Sequence, residues 1–193
     1  MKDDTITIAV LLGTAREGRK SIHAAQYIAA FGTKIAGVEI IFVDPQDLHL
    51  PGDGKNEGAN DPKYSEITAK ADAFFIVTPE YNRGYPGSLK RMLDSEFMNY
   101  KHKPVALAGV SNGPWGGRAV CEALLGPLHT MGLVVIQPTV YFPLVQNIFD
   151  EAGNIQETYV DMYTKNVQGA YTELLWMARA LKQARVSSSV QEV

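Results

Sequence analysis

A short segment near the start of the chain combines glycines, hydroxyl groups and three cationic side chains, in the order Gly13-Thr14-Ala15-Arg16-Glu17-Gly18-Arg19-Lys20-Ser21. A glycine-bearing turn that leads into a helix presents unpaired backbone amides and the positive end of the helix dipole to an anion. Arg16 and Arg19 each add a planar fork of donors that suits a phosphate group. The segment therefore predicts a phosphate-binding loop, and its structural alternative is an ordinary strand-to-helix turn with solvated basic residues.

Two later segments have the composition of ligand-binding turns. The first runs from Thr78 to Lys90 and places Glu80, Tyr81 and Asn82 on a proline- and glycine-rich backbone. Such rigid turns can bind the edge of a flat, polar ring system through their amides. The second, Ser111 to Arg118, has three glycines within five residues, which lets a backbone approach a ligand closely. Each segment alone could be a simple turn, but three such turns at one edge of a sheet would form a ligand crevice.

The rest of the sequence predicts alternating strands and helices. Short, mainly apolar runs are typical of strands that are covered on both faces, and apolar spacings of three and four residues indicate helices. The predicted strands are 6–12, 38–43, 73–78, 105–110 and 133–136, the last with an open continuation to 142. The predicted helices are 21–35, 62–70 after the capping residue Asp61, one that starts around Pro86 and buries Phe97, 117–131 and 158–181.

This alternation predicts an α/β domain with one parallel sheet, and right-handed crossovers favour the doubly wound strand order 2-1-3-4-5. Ligands bind such sheets beyond the carboxyl ends of the strands, where the strand order reverses. The three turns described above follow the first, third and fourth strands, so they are expected to meet at that edge. We predict a single ligand-binding domain over residues 1–185 and a loose tail over residues 186–193.

Bulk composition narrows the classes of function. The 193 residues include 18 Lys and Arg against 21 Asp and Glu, a net charge of −3, whereas proteins that bind nucleic acids usually have a basic face. Cys121 is the only cysteine, which rules out an internal disulfide, and the four histidines lack metal-ligand spacing. No apolar run reaches membrane-spanning length. We expect a cytoplasmic protein with no nucleic-acid, membrane or metal partner.

With these motifs the sequence resembles the NADPH-dependent FMN reductases of flavodoxin-like fold, a family that includes quinone, azo-dye and chromate reductases. The most specific element is the segment Thr78 to Lys90, which is similar to the family pattern T-P-E-Y-N-x-x-x-P-x-x-L-K. The Gly-Thr-Ala-Arg start at Gly13, the run Gly116-Gly117-Arg118 and the segment 149–153 also look like family features. The resemblance extends from about residue 6 to 155.

The resemblance implies a flavodoxin-like five-stranded sheet, an FMN cofactor and a set of binding residues. The residues implied to bind FMN are Thr14, Ala15, Arg16, Arg19, Ser21 and Ile22 at the phosphate, Pro79, Glu80, Tyr81 and Asn82 along the isoalloxazine ring, and Ser111, Asn112, Gly113, Gly116 and Gly117 on its other side. One departure is visible, because His23 stands where many members have asparagine. That departure puts one contact near the phosphate in doubt.

The implied reaction needs no catalytic side chain. NADPH or NADH gives a hydride to the flavin, and a small acceptor (a quinone, free flavin, azo compound or metal oxyanion) then takes the electrons in a ping-pong sequence. Glu80 is interpreted as a loop anchor rather than a catalytic acid, and Trp115 as a cover of the cofactor mouth or part of a subunit contact. The resemblance also implies a homodimer or homotetramer.

Besides a regulatory or interaction module, which would keep the fold without turnover, two other classes of protein stay open at this point. A flavodoxin-type electron carrier would bind FMN without reacting with reduced nicotinamides, although flavodoxins typically bind phosphate through hydroxyls and amides rather than arginines. A nucleotide hydrolase is the second alternative, since Gly13 and Gly18 have Walker A spacing. Arg19 occupies the lysine position of that motif, however, and Lys20-Ser21 lie one residue too late.

Overall fold

Strands and helices alternate along the chain as the apolar spacing predicts. The computed structural model describes residues 5–50 and 60–188. The strands are β1 (Ile6–Leu12), β2 (Val38–Val43), β3 (Ala73–Pro79), β4 (Pro104–Val110) and β5 (Val134–Phe142). The helices are α1 (Ser21–Gly32), α2 (Pro62–Lys70), α3 (Gly87–Asp94), α4 (Arg118–Thr130), α5 (Val145–Ile148) and α6 (Glu157–Ser188). All strand pairs are parallel in the order β2-β1-β3-β4-β5, which confirms the predicted doubly wound, flavodoxin-like sheet.

The sheet is covered by helices on both faces. Successive side chains of a strand point to opposite faces of the sheet. Because both faces are covered, every residue of β1 is buried. Ile8 and Val10 belong to a core cluster with α1 and α6, whereas Ala9 and Leu11 belong to a second cluster with α2, α3 and α4. This double cover leaves the ends of the strands as the exposed edges of the sheet, and the carboxyl ends of β1, β3 and β4 lie at one of them.

The start of α2 confirms the predicted cap. The carboxylate of Asp61 accepts hydrogen bonds from the backbone N–H groups of Lys63 (2.8 Å) and Tyr64 (3.1 Å), and from that of His49. Burial alone would raise the pKa of Asp61, but these three backbone hydrogen bonds lower it overall. The predicted loop before this helix includes residues 51–59, which lie outside the described residues; a short 3-10 turn at Pro45–Asp47 precedes them.

Two helices end earlier than their apolar spacing predicts. The prediction that α3 buries Phe97 was wrong: the helix stops at Asp94, and the Phe97 side chain is 57% exposed. A 3-10 turn follows and buries Tyr100 instead, whose hydroxyl bonds that of Tyr64 at 2.7 Å. Likewise α1 ends at Gly32 rather than at residue 35, because the chain has to turn back before β2.

The last helix continues further than predicted. We expected α6 to end at Leu181 and a loose tail to begin near Arg185, but the helix reaches Ser188. Lys182 and Arg185 bond the carboxylate of Asp72 at 2.8 and 3.1 Å, at the amino-terminal side of the sheet. These ion pairs stabilise the last turns of α6, in which apolar residues no longer recur at helical spacing. The apolar pattern alone therefore could not predict those turns. Residues 189–193 lie outside the described part of the chain.

The described residues also show whether the chain has a membrane-spanning helix or a metal cluster there, and where its single cysteine lies. None of their helices combines the length and apolarity needed to cross a membrane. They contain no cluster of three or more His, Cys, Asp or Glu side chains that could hold a metal ion. Cys121 is buried in α4, and burial raises the pKa of its thiol to about 12. Cys121 is thus a packed residue with a protonated thiol at neutral pH.

Lys103 lies close to the Asp72 ion pairs and gives the fold a pH-dependent stability. Its ammonium group donates to the carbonyl oxygens of Thr68 (2.7 Å) and Ala69 (3.2 Å). Burial, with a further contribution from the Arg185 guanidinium, lowers the pKa of Lys103 from 10.5 to about 8. The unfolded chain therefore keeps a proton that the folded chain releases near pH 8, and stability must rise with pH between the two pKa values.

We expect the free energy of unfolding of the wild type, measured in urea, to increase relative to that of Lys103→Met between about pH 8 and 9.5. The matched control is Lys101→Met, which removes an exposed lysine two residues away and should keep the wild-type pH dependence. Parallel pH profiles for all three proteins would contradict the buried, pKa-shifted ammonium group.

Candidate functional site

A cleft of about 490 Å³ lies at the carboxyl edge of the sheet, where the strand order reverses. We call it the main cleft; its walls are the turns after β1, β3 and β4 and the beginning of α5. The predicted site residues that line it are Thr14, Arg16, Arg19, Ser21, Pro79, Glu80, Tyr81, Ser111, Asn112 and Gly113. The three turns thus meet as expected from the parallel topology.

The turn after β1 has buried polar atoms that lack partners. Arg19 Nε and Ser21 Oγ accept or donate no hydrogen bond within the described residues, although both atoms are buried. Lys20, at the N-cap of α1, supplies no side-chain cap, and the N–H of Ile22 has no acceptor in that part of the chain either. Buried polar groups are normally hydrogen-bonded. An anion with several acceptor oxygens, such as a phosphate monoester, fits this set of donors.

Arg19 is fixed by its neighbours rather than free to move. Its guanidinium pairs with the carboxylate of Asp44, just after β2, and Nη1 donates to the carbonyl oxygen of Arg16 at 3.3 Å. Only 9% of the side chain is exposed. Arg16, by contrast, is exposed, and only its backbone groups are engaged: its N–H donates to Thr14 Oγ1 at 3.2 Å, and its carbonyl oxygen accepts the bond from Arg19. Arg19 therefore stabilises the turn, and the exposed guanidinium of Arg16 is available to a ligand.

Close packing ties the first turn to the third strand. A Cβ atom on Gly13 would lie 2.5 Å from Thr78 Oγ1, so only glycine lets these two segments approach. Thr14 Oγ1 bonds the hydroxyl of Tyr81 at 3.1 Å. The N–H of Ala15 donates to Ser88 Oγ at 3.3 Å, which explains why Ala15 supports the site without lining the main cleft. The phosphate side and the ring side of the site are thereby held at a fixed separation.

The turn after β3 is short and strained. Tyr81 and Gly84 exchange two backbone hydrogen bonds of 2.9 Å, and Asn82 and Arg83 between them have φ values of 50° and 65°. Residues other than glycine rarely adopt this left-handed backbone conformation, although asparagine does so more readily than most. Asn82 lies at the exposed tip of the turn and does not line the main cleft. Tyr81 does line it, with its ring between Asn82 and the first turn.

Glu80 joins the turn after β3 to the start of α4. Its carboxylate accepts a hydrogen bond from the N–H of Ala119 at 3.1 Å, and its own N–H donates to the carbonyl oxygen of Val110 at 3.0 Å. The N-cap of α4, Gly117, has no side chain to perform this capping role. The carboxylate of Glu80 supplies the cap from another element, in agreement with its interpretation as a loop anchor.

Removing this cap should destabilise the protein measurably. We expect Glu80→Ala to lower the free energy of unfolding by about 1 kcal/mol, because Ala119 N–H loses its acceptor at a helix N-terminus. Glu80→Gln keeps an acceptor oxygen and should retain most of that stability. Urea unfolding of both variants, with Glu122→Ala as the control on the exposed face of α4, gives the comparison. Equal losses for Glu80→Ala and Glu122→Ala would contradict the capping role.

The glycines after β4 let that turn pack directly on the strand. A Cβ on Gly109 would lie 2.5 Å from the carbonyl oxygen of Gly117 and 2.6 Å from that of Gly116. Gly116 and Gly117 are therefore buried behind the main cleft instead of lining it. In front of them, the N–H groups of Asn112 and Gly113 donate to no acceptor within the described residues. These two amides are available to a ligand.

Sequence reasoning missed part of the wall. The lining residues outside the set implied to bind FMN are Gly18, Lys20, Val110, Trp115 and Val145. Gly18 and Lys20 belong to the predicted phosphate loop and Trp115 was interpreted as a possible cover of the site, so the residues missed are Val110 and Val145, and the composition around Val145, at the start of α5, did not single it out. Its position was still accessible to reasoning, because β5 is parallel to its neighbours and must end at the same edge. Ile22 lines a neighbouring cleft rather than this one.

Comparison with known proteins agrees with this geometry. Residues 6–147 match the family model described as NADPH-dependent FMN reductase. The chain is 27% identical over 160 residues to a quinone reductase from Pseudomonas putida, covering 78% of this chain and 85% of that protein. It is 26% identical over 172 residues to a 2-hydroxy-1,4-benzoquinone reductase from a Burkholderia species, covering 86% and 94%.

Among solved structures, the flavoenzyme NAD(P)H:(acceptor) oxidoreductase FerB from Paracoccus denitrificans superposes with a TM-score of 0.72 at 23% identity, covering 88% of this chain and 97% of that one. This likeness supports the flavodoxin-like fold. The family match spans most of the chain and includes all three turns of the main cleft. The protein is therefore an oxidoreductase of the NADPH-dependent FMN reductase family.

Proposed function

We propose that this protein uses bound FMN to pass electrons from NADPH or NADH to a quinone, and that donor and acceptor occupy the same open side of the main cleft in turn. The observation that carries the proposal is the convergence of three turns on one cleft, with unpartnered phosphate donors at one end and free backbone amides at the other. The quinone is chosen as acceptor because relatives of this chain are named quinone reductases.

The phosphate of FMN would lie at the N-terminus of α1. Ser21 Oγ, Arg19 Nε and the N–H of Ile22 are donors without partners there, and the Arg16 guanidinium can fold over the anion. Thr14 is already engaged with Arg16 and Tyr81, so it shapes the turn and offers its remaining hydrogen-bonding capacity. The positive end of the helix dipole adds to this attraction.

The ring of FMN would lie between the turns after β3 and β4. FMN, when bound, supplies the redox chemistry, since its ring accepts a hydride and returns the electrons to an acceptor. Pro79 and Tyr81 would flank one edge of the ring, and the N–H groups of Asn112 and Gly113 would donate to its polar atoms. Hydrogen bonds of this kind orient a flavin and tune its electronics. No side chain needs to act as acid or base.

Trp115 would border the face on which donor and acceptor bind. It lines the main cleft, yet its side chain is 76% exposed. An exposed aromatic ring next to a flat cofactor offers stacking area to a nicotinamide or a quinone. Because donor and acceptor would stack on this same face, they would bind in turn, in a ping-pong order.

A spectroscopic experiment tests the proposed function. The purified protein should be yellow, should be bleached by NADPH without oxygen, and should regain its colour when a benzoquinone is added. A yellow protein that NADPH does not bleach would favour a flavodoxin-type carrier. A colourless protein that hydrolyses ATP would favour the nucleotide hydrolase. Repeating the titration with NADH and with an azo dye identifies the preferred donor and acceptor class.

We further propose that the protein forms a homodimer. Large apolar side chains are exposed on or beside α3 and α4, namely those of Phe97, Met98, Trp115 and Leu125. Contiguous exposed apolar area often marks a protein–protein contact. Light scattering coupled to size exclusion should give twice the monomer mass, and Leu125→Glu should shift the mass towards that of the monomer. A monomeric wild type would contradict this proposal.

A further inference from the structure

A second, larger cleft adjoins the phosphate end of the main cleft. It encloses about 900 Å³ between the turn after β1, the first turn of α1 and the segment that follows α5. Gly18, Arg19, Lys20 and Val145 line both clefts, so one wall is common to the two. FMN bound as proposed above would place its phosphate at this wall and leave the second cleft unused.

The common wall has donors that one phosphate group need not satisfy. The described residues contain three buried side-chain polar atoms without a partner, and all belong to the stretch from Arg19 to His23. Ser21 lines only the main cleft and His23 only the second one, whereas Arg19 lines both. Lys20 is exposed at the junction of the two clefts, and Arg19, whose guanidinium is paired with Asp44, presents its unpartnered Nε there. A second phosphate group at the junction would meet these cations.

Beyond the junction the second cleft combines apolar and polar groups. Ile22 and His23 are partly exposed and provide apolar and aromatic surface, whereas Val145 and Phe149 are almost fully buried; the ring of His23 lies 6.0 Å from that of Phe149. The side chain of Gln156 also lines the cleft. Apolar area with a few polar side chains suits a purine base, because such a base has flat faces and a polar edge.

Acidic groups also line the second cleft. Asp150 accepts hydrogen bonds from the backbone and side chain of Asn154, at 2.8 and 3.2 Å, so its carboxylate is already engaged. Glu151 and Glu17 are exposed and have no hydrogen bond or ion pair within the described residues. Free carboxylates are good acceptors for the hydroxyl groups of a ribose. Glu151 therefore offers a hydroxyl acceptor in the segment after α5, whereas Glu17 lies beside Gly18 of the common wall.

We propose that the second cleft is an adenosine nucleotide subsite, occupied by the AMP half of FAD when FAD replaces FMN in the main cleft. The inference rests on the proposed position of the flavin phosphate, since only that position puts the second phosphate of FAD at the junction. The base would lie against Ile22 and the ring of His23, and the ribose would face Glu151. The protein would accept either flavin, with FAD using both clefts.

The test compares the two flavins on cleft-filling variants. The full chain, freed of flavin, is titrated with FMN and with FAD, and binding is followed by flavin fluorescence. Gln156→Trp and Glu151→Trp each place a bulky side chain in the second cleft, at two independent exposed positions. Gln168→Trp, on an exposed position of α6 that lines neither cleft, is the matched control.

We expect the wild type and the control to bind both flavins, and the two cleft variants to lose about tenfold in FAD affinity while their FMN affinity changes less than about twofold. If FMN binds but the variants bind FAD like the wild type, the subsite is wrong and the proposed function is unaffected. If the wild type binds neither flavin, the proposed function itself fails.

NADPH also contains an adenosine phosphate, and a further titration separates this source from FAD. The probe is 2′,5′-ADP, added as a competitor of NADPH to the FMN-loaded wild type and variants. Inhibition that disappears in Gln156→Trp, together with unchanged FAD affinity, would overturn the FAD assignment and give the subsite to the electron donor. Inhibition that is equal in all proteins is the result expected here.

Discussion

Replacing Gly117 by alanine is expected to abolish FMN binding and to lower the free energy of unfolding by about 2–5 kcal/mol. Gly117 has a φ of 79°, in the left-handed region. A Cβ atom there would lie 2.5 Å from the backbone nitrogen of Val110 and 2.8 Å from the Cα and carbonyl carbon of Gly109. These are atoms of a central strand, which cannot move aside without breaking the sheet. The turn after β4 would have to lift away from the main cleft.

Urea unfolding and an FMN titration measure the two effects of Gly117→Ala separately. Gly126→Ala is the matched control, because it lies in the same helix and its Cβ would meet no atom within 4 Å. Alanine in place of an unhindered helical glycine should be neutral or stabilising by up to about 1 kcal/mol. Wild-type FMN affinity in Gly117→Ala would show that the close approach of this turn to β4 is unimportant for the site.

Arg16→Ala is expected to weaken FMN binding by about one to two orders of magnitude, because charge-assisted hydrogen bonds to a phosphate contribute about 1.5–3 kcal/mol. The Arg16 guanidinium is exposed and has no hydrogen bond or ion pair within the described residues, so its removal should not destabilise the apoprotein. The loss of affinity would then report on the phosphate contact alone. Arg19 differs in this respect, since its pairing with Asp44 makes it part of the framework of the turn.

Isothermal titration of the flavin-free protein with FMN tests the role of Arg16. Arg16→Lys should recover part of the affinity, because lysine keeps the charge but not the planar fork. Arg179→Ala, an exposed arginine on α6, is the control for the loss of one positive charge. The assignment of Arg16 to the phosphate would be wrong if Arg16→Ala and Arg179→Ala bound FMN equally well.

Most of the fold could be predicted from the sequence because its signals are local. Two strands have the predicted bounds, Ile6–Leu12 and Val38–Val43. Short apolar runs are buried most readily as strands of a sheet that is covered on both faces. Asp61 ended a loop and began a helix as its cap chemistry predicts. Helix ends without such signals were misplaced: Phe97 has the right spacing for α3, but the burial of Tyr100 redirects the chain.

The site was predictable in its parts but not in its contacts. The composition of the three turns identified most residues of the main cleft, and the parallel topology indicated that the turns would meet. The capping of α4 by Glu80, the engagement of Arg19 with Asp44 and the contribution of Val145 were not predictable in this way. Each of these joins residues that are far apart in the sequence, and no local pattern specifies such a pairing.

The sequence by itself determined the order of strands and helices and the family to which the chain belongs, and it predicts the phosphate loop around Arg16. These features depend on which residue types are neighbours along the chain, and the sequence alone contains that information. Only the tertiary structure decided which donors stay unsatisfied, because Ser21 Oγ and Arg19 Nε are known to lack partners only when every surrounding atom has a position. The second cleft is likewise a property of three-dimensional packing, since its walls come from segments that are far apart along the chain.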